Sequence, residues 1–234
     1  MYSYGYMDWT YIFVIIGAVI SMAASAHVNG TFSKYSRIRS RRGLSGAEVA
    51  QIILRRNMIT DVTVHHVGGN LTDHFDPKRK LVNLSDSVYG STSVAAIGVA
   101  AHECGHVIQH HIGYSPIAIR SALVPAANLG SMLGIPICVL GAVIGGLGSM
   151  WVSVGLLVFS LSVLFHIVTL PVEFDASRRA LIQIEENGML DSEEIKMAKA
   201  VLYAAALTYV ASATASIMQL LRLTMIFGGN RRRD

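Results

Sequence analysis

The chain has 234 residues, 52% of them hydrophobic and only 15% charged, with a net charge of +4. Soluble domains carry about a quarter charged residues, so this composition excludes an ordinary soluble fold. Two cysteines, Cys104 and Cys138, give no C-x-x-C and no disulfide framework, and no nucleic-acid motif accompanies the basic residues.

The first apolar stretch runs from Trp9 to about His27. Ala24-Ser25-Ala26 looks like a signal-peptide cleavage site, but a signal peptide has its positive charge before the apolar run. Here residues 1–10 carry no Lys or Arg, and Lys34, Arg37, Arg39, Arg41 and Arg42 follow the run. Residues 1–27 are therefore expected to form an uncleaved transmembrane anchor with its amino terminus outside. The positive-inside rule then places the segment 28–118 in the cytoplasm, where the arginine cluster serves as an inner-surface anchor that can touch anionic lipid.

Residues 28–118 carry the expected catalytic portion. Ser45-Gly46-Ala47-Glu48 is a capping-box signature for a helix running to about Asn57. Asp61–Val67 alternates in part and reads as a strand, Gly68-Gly69-Asn70 as a turn, and Leu81–Leu84 as a second short strand. A small sheet of this kind can offer an edge to an extended substrate backbone. Ser91-Thr92-Ser93 caps a helix predicted from about Val94 to His110, which Gly113 and Pro116 end.

From Arg120 to Glu173 there is no Asp, Glu, Lys or Arg in 52 intervening positions. A spanning helix needs about 20 apolar residues, so 119–171 is expected to form a transmembrane hairpin, breaking near Gly145-Gly146-Leu147-Gly148. The chain then returns to the same side for a segment 172–199. The last portion, 200–234, contains a weaker apolar stretch from Ala200 to Leu221, rich in small residues, and a basic tail with Arg231, Arg232 and Arg233. It reads as a fourth span, with a buried helix of a soluble portion as the alternative. Four spans put the basic tail outside, against the positive-inside rule.

The chemistry is carried by His102-Glu103-Cys104-Gly105-His106. Two imidazoles one helical turn apart lie on one face and can grip one metal ion, and the glutamate between them can act on the water such an ion activates. Cys104 points away from the imidazole pair and reads as a small buried residue. Zinc prefers four ligands and a catalytic site keeps one for water, so a third protein ligand is required. A metzincin would place a histidine at 112, which is Ile112. His110 lies on roughly the same helical face but too far along the helix to share the ion, and is a candidate for a supporting role. His65, His66 and His74 are surface histidines or donors near the substrate. Glu173, the first acidic residue after the charge-free stretch, is the leading third ligand, and Asp175 is its rival.

The H-E-x-x-H helix, the following apolar hairpin and Glu173-Phe174-Asp175-Ala176-Ser177 resemble the integral-membrane zinc proteases of the HtpX and CAAX-prenyl-protease type. There a later helix supplies its glutamate in an E-x-x-x-D pattern, and Ser177 stands here where that aspartate is expected. NLTDHFDPKRKLVNLSDSVYG, AHECGHVIQH and PVEFDASRRA bring the whole chain closer to the YugP-like neutral zinc metallopeptidases of bacterial membranes. The resemblance implies one Zn2+ per chain held by His102, His106 and Glu173, with Glu103 as catalytic base. In the related proteases the aspartate supports a histidine ligand, and serine bonds an imidazole more weakly than a carboxylate does. Oxyanion donors are open among His66, Asn83, Arg178 and Arg179; the two arginines are equally placed to be inner-surface anchors.

The expectation is an α-helical integral membrane protein of about four transmembrane helices with a small α+β zincin-like catalytic portion. It would be a zinc endopeptidase of the bacterial plasma membrane, acting at the cytoplasmic face on membrane or membrane-proximal proteins. Its partners would be protein or peptide substrates, the bilayer, and another copy or membrane protein on its Gly- and Ala-rich spans, with no nucleic acid. A site-2-type protease cleaving within spans, or an inactive zinc-binding scaffold, are the rival readings. The polar sequence ahead of the motif, with Asp76, Lys78, Arg79, Lys80 and Asp86, favours cleavage near the surface over mid-membrane.

Overall fold

The computed structural model describes residues 8–227. Among these residues six helices and three strands follow one another: α1 (Tyr11–Tyr35), α2 (Gly46–Arg56), β1 (Thr63–His66), β2 (His74–Asp76), β3 (Leu81–Leu84), α3 (Val94–His111), α4 (Ser115–Gly145), α5 (Met150–Glu186) and α6 (Ser192–Phe227). Among the described residues, α1, α4, α5 and α6 are each long and apolar enough to cross a membrane. The protein is thus a helical membrane protein with a small α+β portion. The charge-free stretch breaks where its glycines predict, between Gly145 and Met150. The weak fourth stretch lies in α6. The basic tail, Arg231–Arg233, lies outside the described residues.

The chain divides into two compact units, each described by itself. The first comprises, within the described residues, 8–24, 119–170 and 208–227. Its helices meet through small residues. A Cβ on Gly17 would stand 3.1 Å from the Ala215 Cα, and one on Gly134 would stand 2.7 Å from the Phe159 Cβ. Large apolar side chains such as Ile15, Met132, Leu140, Ile144 and Leu157 point outward instead. Small residues inside and bulky apolar ones outside is the arrangement expected where lipid replaces water.

The second unit comprises 25–118 and 171–207. Its α2 begins as the capping box predicts: Ser45 Oγ accepts from the Glu48 amide at 3.3 Å, and the Glu48 carboxylate accepts from the Ser45 amide at 2.8 Å. Val49, Ile53 and Leu54 then face a core shared with Val82, Leu84, Ile97, Ala100, Cys104, Ile184, Met189 and Leu202. The sheet has the order β1-β3-β2, with β1 parallel and β2 antiparallel to β3. β2 is a strand that the alternation did not reveal, because only three residues precede Pro77 and its outer edge is unpaired among the described residues. It folds back on β3 through a turn in which Asp76 Oδ1 accepts from the amides of Lys78 and Arg79. Helix α3 starts from Ser93, whose hydroxyl accepts from the Ala96 amide at 3.2 Å, and Gly113 follows it at a φ of +67°.

Candidate metal centre

α3 is apolar on nearly every side, and Val94, Ala96, Ile97, Ala100 and Ala101 are fully buried. It therefore crosses the interior of its unit, carrying His102 and His106 with it. The buried stretch 171–184 of α5 lies against it, with Val172, Ala176, Ala180 and Ile184 at zero exposure. The two helices come close at Gly105, where an added Cβ would run into the Ala176 carbonyl oxygen. Glycine in the motif's second variable position lets the two backbones approach so that ligands from both meet.

His102 Nε2 lies 3.3 Å, and His106 Nε2 3.4 Å, from the same oxygen, Glu173 Oε2. The three ligand atoms lie within 4.8 Å of one another, and Glu173 is only 1% exposed. Two imidazole nitrogens and a carboxylate oxygen are a donor set that zinc accepts, and three protein ligands leave one position open. The residues present therefore fit a zinc ion. Burial works against the His106 imidazolium, but the Glu173 carboxylate and the charge of Glu103 outweigh it and raise the His106 pKa above its ordinary value. The same negative field attracts a cation. Asp175, the rival ligand, is not in this group.

The atoms behind the ligands are organised differently on the two histidines. Gln109, at zero exposure, turns its Oε1 to His106 Nδ1 at 3.1 Å. Its Nε2 donates to the Val172 carbonyl at 2.7 Å and to Asp175 Oδ2 at 3.0 Å. With both amide hydrogens spent, Oε1 can only accept, so His106 Nδ1 carries the proton and Nε2 presents its lone pair. Asp175 is held in turn by Arg178, 2.7 Å from its Oδ1, and by Arg179 on its Oδ2. His102 Nδ1 meets Ser177 Oγ at 3.1 Å. A hydroxyl can donate or accept, so Ser177 permits the same tautomer without imposing it.

Glu103 is 7% exposed and, among the described residues, its carboxylate accepts no hydrogen bond. Cys104 faces away from the histidines, with its Sγ 3.7 Å from the Ala50 carbonyl. The other candidates are engaged elsewhere. His66 Nε2 sits 2.7 Å from Asp86 Oδ1 and its ring packs on Tyr89; the His110 ring packs edge-on against Phe75 of β2. Asn83 Nδ2 lies 3.1 Å from His74 Nε2. Among the described residues, Arg178 and Arg179 connect to the site through Asp175 and Gln109. Gln109 and Gly105 were not singled out by the sequence reading. The signal for Gln109 was its position three residues after His106, on the same helical face as the ligand it supports.

A family model described as "Putative neutral zinc metallopeptidase" matches residues 10–228. A relative from Bacillus subtilis (strain 168), described as "Putative membrane protease YugP", is 43% identical over 223 residues, covering 94% of this chain and 98% of that one. No solved structure matches the chain. Matched over almost its whole length and carrying a buried His-His-Glu group that fits zinc, the chain belongs to this family of neutral zinc metallopeptidases.

Proposed function

We propose that the protein is a zinc-dependent endopeptidase that hydrolyses peptide bonds of membrane or membrane-proximal proteins, with His102, His106 and Glu173 holding one zinc ion and Glu103 as general base. The observation that carries this is the convergence of His102 Nε2, His106 Nε2 and Glu173 Oε2 beside the buried Glu103 carboxylate. Zinc, when bound, lowers the pKa of water and polarises a carbonyl. Glu103 takes the proton of the attacking water as its oxygen adds to the scissile carbonyl, and returns it to the leaving nitrogen as the C–N bond breaks. Burial keeps bulk water from competing for that carboxylate. Gln109 keeps His106 in its ligating tautomer, and Ser177 orients His102.

The substrate reading rests on β2. Among the described residues it pairs with β3 on one side only, and Phe75 seats it against His110 of α3. An extended peptide can add to its open edge through backbone hydrogen bonds, largely without regard to side chains. The motif helix α3 is not among the helices apolar enough to cross a membrane, which favours cleavage near the membrane surface over cleavage within a span. The 11 Lys and Arg against 6 Asp and Glu from residue 28 to Arg120 favour the cytoplasmic face of the plasma membrane.

The test uses the full chain reconstituted in lipid and an unfolded membrane-protein substrate. Cleavage is expected to stop on chelation and return on zinc addition. Glu103→Gln should bind zinc normally and fail to cleave. A Glu103→Gln protein that binds zinc and cleaves at the wild-type rate overturns the assignment of the base.

A further inference from the structure

A separate cavity of about 680 Å³ opens on the second unit, with Arg42, Arg55 and Arg56 at its walls and Leu44, Ile52 and Met189 as its apolar lining. No Asp or Glu lines it, and among the described residues none of the three guanidiniums pairs with a carboxylate. Three uncompensated cations around one concavity repel one another, and that repulsion is relieved by a shared anion.

The backbone segments that carry the cations are held in place. Arg42 belongs to a tight turn in which the Gly43 amide donates to the Ser40 carbonyl at 3.1 Å, with Gly43 at a φ of +66°. Its neighbour Arg41 pins that turn: the Arg41 amide donates to Glu194 Oε1 at 2.8 Å and its guanidinium meets Asp191 Oδ2 at 2.7 Å. Arg42 itself lies across Gly188, where a Cβ would come within 3.2 Å of its Nη2. Arg55 and Arg56 project from α2, whose buried face is fixed by Val49 and Ile53.

Basic residues in the last turn of a helix commonly serve its free carbonyls. Here three of the last four carbonyls are already used. The Ile53 carbonyl accepts from Asn57, the Leu54 carbonyl from the Ile59 amide and the Arg55 carbonyl from the Met58 amide. Arg55 gives only its Nε, to the Gln51 carbonyl at 3.3 Å, and Arg56 is left facing solvent and the cavity. Helix termination therefore does not account for the cluster.

We propose that this cavity binds a phosphate ester, its anionic oxygens bridged by Arg42, Arg55 and Arg56 and its organic part resting on Leu44, Ile52 and Met189. Guanidinium forks match phosphate oxygens in pairs, and the apolar lining distinguishes an ester from bare phosphate. The ester is either the headgroup of an anionic phospholipid or a soluble phosphorylated metabolite.

The test has two arms on the full-length protein. In detergent micelles, binding of glycerol 3-phosphate and of inorganic phosphate is measured by calorimetry. In nanodiscs, retention of phosphatidylglycerol against phosphatidylcholine is measured by native mass spectrometry. Binding in the first arm identifies a soluble ester, and selective retention in the second alone identifies a lipid headgroup. Either should fall at least about 10-fold in the Arg42→Gln/Arg55→Gln/Arg56→Gln variant and several-fold in each single variant, with zinc content unchanged. A control that removes three exposed charges elsewhere, Lys78→Gln/Arg79→Gln/Lys196→Gln, should bind as wild type. No phosphate binding in either arm, or an equal loss in the control, overturns the proposal.

Discussion

Gly105 of α3 faces the backbone carbonyl of Ala176 on α5 with no room for a Cβ between them. This contact sets the separation of the helix that carries His102 and His106 from the helix that carries Glu173. Gly105→Ala should force them apart or strain them, at about 1–3 kcal/mol, and lower both the melting temperature and the zinc content. Gly98, on the same helix, is the comparison: its Cβ would meet the Ala198 Cβ at 3.5 Å, an ordinary contact. Gly98→Ala should leave zinc content unchanged and be neutral or slightly stabilising. Equal behaviour of the two variants by thermal melting and metal analysis would show that the close approach at 105 is not what builds the site.

Glu173→Gln should abolish stoichiometric zinc binding, because it exchanges the anionic ligand oxygen for a neutral amide. Asp175→Asn should weaken zinc binding by about 10-fold or less, since Asp175 acts through Gln109. Competition titration with a zinc chelator on the two purified variants ranks them, and the reverse order would exchange their roles.

Gln109 and Ser177 support the two histidines, but only Gln109 dictates a tautomer. Gln109→Leu keeps the volume and should reduce zinc affinity about 10–100-fold, because His106 Nδ1 then loses its acceptor. Ser177→Ala should cost less than Gln109→Leu. Ser177→Asp, which restores a carboxylate at that position, should bind zinc more tightly than wild type. Chelator competition on all three checks the order.

Cys104 sits in the core beside the chemistry without serving it. Burial, and then the nearby charge of Glu103, push its thiol pKa well above the ordinary 9.0. The folded protein should therefore resist alkylation at Cys104 even at mildly alkaline pH, and label only on unfolding. The sign follows for stability. A thiol with a raised folded-state pKa stays protonated while its unfolded counterpart ionises, so this contribution is intact below pH 9 and declines as pH rises beyond it. Rapid labelling of native protein at neutral pH, read by mass spectrometry, would contradict the burial on which this rests.

Much of the architecture was legible because its causes are local. Ser45 and Glu48 close a capping box within one turn, Ser93 caps α3, and the glycines at 145–148 interrupt a run with no charge. Strand β2 was not legible, since three residues beside a proline carry too little alternation to register. Its existence depends on pairing with β3 and packing on α3, which are contacts between segments.

The site divides in the same way. Helical periodicity alone puts His102 and His106 on one face, because residues one turn apart are neighbours whatever surrounds them. Composition alone requires long apolar helices. That Glu173 rather than Asp175 turns toward those imidazoles depends on how α5 is rotated and how closely it approaches α3, which the packing of Ala176 on Gly105 decides. Gln109 belongs to the second kind as well. Any helix can carry a glutamine, and only burial against the Val172 carbonyl and Asp175 uses up both its amide hydrogens and makes its oxygen the acceptor that orients His106.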